Sequence, residues 1–416
     1  MRHLILGSSA AAIAAARVLR QALPNDEIIM ASADERIYSR CMLHRYLAGE
    51  RIFGSLDFTE PDFFDQNAIQ WLPNNPALSL DCRAQTVHCK NGAIAYDKLL
   101  IATGTVSLVP DIPGLRSAEN VYTLGSLKDA VLIKRRAKNA RNIIILGSGL
   151  VGMDAAYGLA GSGAVVRIIE IAGHIIPMQL DSDVASMYQA QFEKAGVQFH
   201  LCKRAVAVEL DENSNATALE LDDGVILPCD MIIVAVGVRA NTDYLKNSPI
   251  KLEKKLENGV IVDKHMLTSV SDIYAAGDVT GISGSWYAAV KQGRVAAHNM
   301  ASPENSSYED KFQTNHKTNT INFSGMTTLS IGKVNPPFDG YEVLQYREVN
   351  KYFKLIMKNG IAEGVLLYGD ISNSGYWKYI IKNAVPLNKL KKSPVLADFA
   401  DFYDIDQHTA EFRYKL

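Results

Sequence analysis

Two stretches of this chain join a continuous apolar run to a turn of small residues and then to a helix-forming segment, and their leading glycines stand 140 positions apart. The first reads Leu4-Ile5-Leu6-Gly7-Ser8-Ser9-Ala10-Ala11-Ala12-Ile13, the second Ile143-Ile144-Ile145-Leu146-Gly147-Ser148-Gly149-Leu150-Val151-Gly152. A strand buried on both faces shows no polar alternation, so each run predicts a strand of a parallel sheet feeding a helix. The free N–H groups that open such a helix attract an anion. One such unit suggests a nucleotide site, and two suggest two dinucleotides brought face to face.

The chemistry asks the same of both turns. The first position needs glycine for a sharp turn. The second must be small enough for the backbone to approach a pyrophosphate, and the third small enough for helix to pack on strand. Gly147, Gly149 and Gly152 meet all three conditions, and Glu170 ends the next strand, where a carboxylate holds ribose hydroxyls. Glu170 would repel a 2′-phosphate, which favours NADH over NADPH; Arg167 weighs against this unless it points outward from its strand. The first turn is degenerate, with Ser9 and Ala12 following Gly7, but both are small and the geometry survives. Its acid is less plain. Asp34 and Glu35 fall one or two residues late, where solvated turn residues would also stand.

The pattern around these turns is α/β. Residues 10–23 form a helix, 27–31 a strand, and 38–49 show helical spacing; short strands with turn signals such as Asn91-Gly92 fill 69–101. Pro110 and Pro113-Gly114 mark a domain crossing. Strand 142–147, helix 150–162, strand 165–170, helix 181–195 and strands up to 231–237 then repeat the unit. Residues 303–318, rich in Asn, Ser, Lys and Thr, read as a linker, followed by an α+β region and an acidic, aromatic tail near Asp398–Asp406. The expected architecture is two Rossmann-like domains, 1–112 with 241–305 and 113–240, plus a small α+β domain over 319–416.

A net charge of -2 and a pI near 6.5 offer no basic excess to draw nucleic acid or an anionic membrane. Cys41, Cys82, Cys89, Cys202 and Cys229 form no CxxC, which argues against a zinc ribbon, a locally ligated iron–sulfur cluster or a thioredoxin-type dithiol; no metal site is expected. Scattered thiols fit a reducing cytoplasm. The first strand starts at residue 3, so no secretory leader is expected in this sequence. The apolar stretch 143–166 is long enough to tempt a membrane span, but six glycines and Asp154 divide it into strand, helix and strand, and no membrane insertion is expected.

Four motifs in order now point to a family: Tyr96-Asp97-Lys98-Leu99-Leu100-Ile101-Ala102-Thr103-Gly104, the second turn, Thr268-Ser269-Val270-Ser271-Asp272-Ile273-Tyr274-Ala275-Ala276-Gly277-Asp278-Val279, and Trp286-Tyr287-Ala288-Ala289-Val290-Lys291-Gln292-Gly293. Together they resemble the FAD-dependent pyridine nucleotide-disulfide oxidoreductase class over nearly the whole chain. The resemblance implies FAD on the first turn, Asp278 on its ribityl chain, the helix from Trp286 facing the flavin, and NADH on the second turn. It places Thr103, Gly104, Gly237 and Gly277 among the cofactor-binding residues. Tyr38-Ser39-Arg40, Leu47-Ala48-Gly49-Glu50 and the region 351–382 resemble the NADH-rubredoxin reductases and the flavoprotein part of assimilatory nitrite reductases, which puts Arg40 at the cofactor too. Those proteins hand electrons singly to a separate iron protein. The paired redox cysteines of glutathione-reductase-type enzymes are missing here.

Cys41 complicates the branch. Followed by Tyr46-Leu47-Ala48-Gly49, it matches the register of the single flavin-side cysteine in NADH oxidases, NADH peroxidases and CoA-disulfide reductases, although Met42 replaces the usual next glycine. A thiol at a helix N-terminus would have a depressed pKa and react; otherwise Cys41 is a small apolar filler. Asp154 stands where the family has a glutamate near the nicotinamide, one methylene shorter, and competes with a plain surface carboxylate. Arg45 aligns with a lysine that approaches the flavin in related ferredoxin reductases, and competes with a solvated arginine. His44 reads as structural.

The resulting reading is an FAD-dependent NADH:acceptor oxidoreductase. Hydride passes from nicotinamide to flavin, and electrons leave to a small rubredoxin- or ferredoxin-like protein in the cytoplasm. One alternative is an NADH oxidase, peroxidase or CoA-disulfide reductase using Cys41. The other is an NADH-sensing flavoprotein that acts through partner contacts. Oligomeric state is left open.

Overall fold

The computed structural model describes residues 1–254, 258–282, 284–302, 311–312, 317–336, 339–390 and 392–414. Most of the expected linker at 303–318 lies outside these residues. The first glycine turn leaves strand Arg2–Leu6, the centre of a five-stranded parallel sheet ordered Ile273–Ala275, Lys98–Ile101, Arg2–Leu6, Glu27–Ala31, Ile69–Leu72. Helix Ala10–Ala22 packs on this sheet and crosses helix Trp286–Ala301 closely. The alanines explain the approach: a Cβ on Gly293 would stand 2.1 Å from the carbonyl oxygen of Ala11.

The second turn leaves strand Asn142–Leu146, which lies between Val165–Glu170 and Met231–Val234 in a second parallel sheet flanked by Gln198–Leu201 and Val121–Thr123. Each turn therefore rises from the carboxyl end of a central strand, where a doubly wound sheet opens a crevice. The hairpin Thr86–Cys89/Gly92–Ala95 turns through Lys90-Asn91, and Gly92 with φ +129° opens the second strand. The expected helix over 38–49 is only a 3-10 turn, Arg40–Met42, and a single-turn helix, Leu43–Leu47. Its polar residues are drawn into contacts with neighbouring elements rather than into a longer helix.

The C-terminal sheet is antiparallel, ordered Thr318–Phe323, Met326–Gly332, Ile361–Tyr368, Lys351–Lys358, Glu342–Glu348. Helix Ser374–Lys382 covers one face through Trp377. From the opposite side, Ile321, Phe323, Tyr352 and Leu366 share one continuous core with Ile175, Ile176, Leu180, Tyr188 and Phe192 of the second Rossmann-like unit. Asp181 sits in this seam. Its Oδ1 accepts the Val184 N–H at 3.0 Å and caps helix Ser182–Lys194, while Oδ2 accepts Tyr352 Oη at 2.5 Å and Lys354 Nζ at 3.1 Å. The tail adds a short helix, Phe399–Phe402, and paired strands Tyr403–Ile405 and Phe412–Tyr414. Among the described residues no helix is long and apolar enough to cross a membrane.

Candidate active site

Both turns are held open by backbone that only glycine accepts. Gly7 has φ +118°, and a Cβ there would stand 2.2 Å from the Ala102 carbonyl oxygen; Gly147 has φ +95° and the same clash with Ala235 at 2.6 Å. A Cβ on Gly152 would reach 2.0 Å from the Gly147 oxygen, whereas one on Gly149 meets nothing within 4 Å. The second position thus faces open space and the third faces protein, as a dinucleotide turn requires.

Helix capping separates these two helices from three of the others, although Ser374–Lys382 also lacks a side-chain cap. Leu127–Ala137 starts with a reciprocal Ser126–Asp129 capping box, Ser182–Lys194 with Asp181 and Trp286–Ala301 with Ser285. Ala10–Ala22 and Leu150–Leu159 begin at Ser9 and Gly149 with no side-chain cap and no acid in the first turn. Their free N–H groups fit a pyrophosphate. Gly104, with φ +65°, likewise has open space where a side chain would point, and Thr103 Oγ1 donates to the Asn241 carbonyl at 3.0 Å. Gly237 takes φ +139° at the end of the second sheet's strand and Gly277 φ +84° in the last motif. The Gly277 N–H donates to Gln292 Oε1 at 2.7 Å, while buried Gln292 Nε2 has no protein partner among the described residues. Asp278 opens the next 3-10 turn, and burial raises its pKa against the pull of Arg40. A flavin's polar edge suits this set.

Glu170 is only 8% exposed. Its Oε2 accepts Ser148 N at 2.7 Å and Ser148 Oγ at 2.8 Å, and Oε1 accepts Ala172 N at 2.7 Å. Arg167 does point away, donating to Asn142 and Gln198. The first turn departs from this arrangement. Gly7 N donates to Ala31 as Gly147 N donates to Ile169, so Ser32 occupies the place of Glu170 and pairs with Ser8 Oγ at 2.9 Å. The acid, Asp34, comes two residues later and accepts Tyr38 Oη at 2.9 Å and Arg40 Nη2 at 2.7 Å. The Tyr38-Ser39-Arg40 segment also bridges the two Rossmann-like units: Tyr38 Oη accepts the Leu127 N–H and Arg40 Nε donates to the Gly125 carbonyl.

Of the two readings of Cys41, the direction of its pKa favours the filler over the reactive thiol. Cys41 is open to solvent on one side, yet burial of the sulfur, then Asp154 and Asp278, push its pKa above the ordinary thiol value. A single-turn helix supplies too little dipole to outweigh two carboxylates. Arg45 has a partner of its own. It pairs with Glu50 at 2.6 Å, and Tyr157 donates to the same carboxylate at 2.5 Å, so its charge is engaged there.

Asp154 is no plain surface acid. Burial, opposed by Arg45, raises its pKa to about 7, and burial followed by Arg45 lowers that of His44 to about 4. His44 Nδ1 lies 3.4 Å from Asp154 Oδ1 and has no hydrogen-bond partner among the described residues. The sequence reading missed His44, and it missed Gly158, where a Cβ would stand 2.5 Å from Leu47 Cβ. An unexplained glycine inside a helix was the available signal. Folding favours protonated Asp154, so this group's contribution to stability falls between pH about 4 and about 7 and is level above that. Asp154→Asn should therefore gain stability relative to the parent as pH rises through that window. Melting curves from pH 4 to 9 check this, and a gap independent of pH would refute it.

Residues 1–293 match the model of the pyridine nucleotide-disulphide oxidoreductases, and residues 318–385 that of the rubredoxin NAD+ reductase C-terminal domain. The chain is similar to the NADH-dependent phenylglyoxylate dehydrogenase subunit epsilon of Aromatoleum evansii, at 28% identity over 94% of this chain and 93% of that one. It is similar to the NADH-rubredoxin oxidoreductase of Clostridium acetobutylicum, at 28% identity over 89% and 91%; the crystal structure of that enzyme superposes with a TM-score of 0.73 over 96% and 98%. An NADH oxidase of Methanocaldococcus jannaschii is 30% identical over 74% and 72%. Some other relatives are longer, and the chain spans 44% of their length.

Proposed function

Because the chain belongs to the pyridine nucleotide-disulphide oxidoreductase family, which works with FAD and NADH, we propose that it carries electrons from NADH to a small iron protein of rubredoxin or ferredoxin type. It is an NADH-dependent flavoprotein oxidoreductase. The observation that carries the acceptor is the C-terminal region of rubredoxin-reductase type beside the Tyr38-Ser39-Arg40 seat, with burial pushing the Cys41 thiol above its ordinary value.

Residues 1–112 with 241–305 hold FAD through the Gly7, Ser9 and Ala12 turn, Thr103, Gly104, Gly277 and Asp278, with Asp34 and Arg40 beside it. Residues 113–240 hold NADH through Gly147, Gly149, Gly152, Glu170 and Gly237. When bound, the flavin would supply the redox chemistry, accepting two electrons as one hydride and passing them on singly. The chain positions both dinucleotides on uncapped helix ends. Asp154 and His44 place two neutral groups between the units near pH 5 to 6, and Arg45 with Glu50 forms a closed pair at the rim. All five cysteines are free thiols, which fits a cytoplasmic setting.

Two outcomes test the reading. Glu170 repels a 2′-phosphate, so NADH should be preferred over NADPH at least about tenfold, roughly 1.4 kcal/mol, and Glu170→Ala should narrow the gap; equal kcat/KM for both nucleotides refutes it. Cys41→Ser should keep at least about half of the NADH:dye activity, because a twofold change is only about 0.4 kcal/mol in barrier. A loss above a hundredfold would favour a thiol-based oxidase or disulfide reductase. The near-full-length likeness to a dehydrogenase epsilon subunit supports a second reading, in which the acceptor is a larger enzyme assembly. Fast dye reduction with no transfer to added rubredoxin or ferredoxin would favour it.

A further inference from the structure

Between strand Val165–Glu170 and helix Ser182–Lys194 runs a loop that touches the second turn on one side and the C-terminal domain on the other. Ile176, fully buried, takes φ +49°, a left-handed conformation that a β-branched side chain avoids. Its N–H donates to the Ser148 carbonyl at 3.0 Å, and its own carbonyl accepts the N–H groups of Gln179 and Leu180. Ser148 is the middle residue of the Gly147–Gly149 turn and gives both its N–H and its hydroxyl to Glu170. From the other domain, Asn335 Nδ2 donates to the Pro177 carbonyl at 3.1 Å and to the Leu180 carbonyl at 2.7 Å. Tyr352 and Lys354 grip Asp181 one residue further on. A hydrogen-bonded path thus runs from Asn335 through the strained loop to Ser148 and Glu170. Strained backbone persists only where its surroundings over-determine it, and here the C-terminal domain supplies part of them through Pro177, Leu180 and Asp181.

We propose that the C-terminal domain positions the NADH site: Asn335, supported by Tyr352, holds loop 171–181 so that Ser148 and Glu170 keep their nucleotide-binding geometry. Asn335 is a positioning residue, for it acts through Ser148 and Glu170. The inference rests on the reading that the Gly147–Gly152 turn binds NADH.

The test uses the FAD-loaded full chain. Asn335→Ala should raise KM for NADH at least about fivefold, with kcat at saturating NADH, flavin content and the visible spectrum within about twofold of the parent. Amide hydrogen exchange at Ile176 and Leu180 without NADH should speed up about tenfold or more, with no change in the first sheet. Tyr352→Phe, which keeps the ring and removes the hydroxyl that donates to Asp181 and to Asp183, should shift both readouts the same way but less. An unchanged KM, or losses of kcat and flavin in step with KM, overturns the proposal. Gly149→Val separates the two levels, because its side chain would enter the open space of the turn. If Gly149→Val weakens NADH binding and Asn335→Ala does not, only the positioning role fails. If Gly149→Val is silent as well, the assignment of the turn fails with it.

Discussion

Gly7→Val should leave the chain with less than about a tenth of the parent's flavin, measured as the ratio of flavin to protein absorbance after purification with FAD present. A side chain at φ +118° costs roughly 1–2 kcal/mol in backbone alone. The larger cost is the clash of its Cβ, 2.2 Å from the Ala102 oxygen. Relief requires moving strand Lys98–Ile101 or the turn itself, and either takes the free N–H groups of helix Ala10–Ala22 away from the pyrophosphate. Gly149→Ala is the control: at φ -64° and with nothing within 4 Å of the added methyl, it should fold and retain FAD. A yellow, fully loaded Gly7→Val protein would refute the assignment of the first turn.

Asp181→Ala should destabilise the chain by about 3–5 kcal/mol, because it strands a buried ammonium. Lys354 and Asp181 are 9% and 4% exposed in their side chains and 3.1 Å apart. The substitution removes the carboxylate that neutralises Lys354, the acceptor of Tyr352 and the cap of helix Ser182–Lys194 together. Adding Lys354→Met to Asp181→Ala removes the stranded charge and should recover most of the loss, since a buried ion pair replaced whole by apolar groups is often near neutral. Thermal unfolding of the two variants decides it. A single variant within about 1 kcal/mol of the parent would mean that the seam admits water and that the domains are held by their apolar core alone.

Gly152, where a Cβ would stand 2.0 Å from the Gly147 carbonyl oxygen, and Gly149, where it would meet nothing within 4 Å, are distinguishable in the sequence by spacing alone. Short-range stereochemistry dictates a dinucleotide turn, so its residues lie within a few positions of one another. The two parallel sheets were legible for the same reason, through unbroken apolar runs, as was Glu170 at a strand end. Asp34 was legible only as a candidate, because counting along the chain does not say whether the position after a strand faces the turn; Ser32 takes that place here. The state of Cys41 was not legible. Its thiol depends on Asp154 and Asp278, more than a hundred residues away in sequence, and no local pattern reports their approach. His44 met Asp154 for a similar reason, since helices Leu43–Leu47 and Leu150–Leu159 come together only through the space left at Gly158. Local rules thus determined that two dinucleotide turns exist. Only the tertiary structure decided their electrostatic surroundings and the grip of the C-terminal domain on the second turn, because burial and through-space charge arise from packing between distant segments.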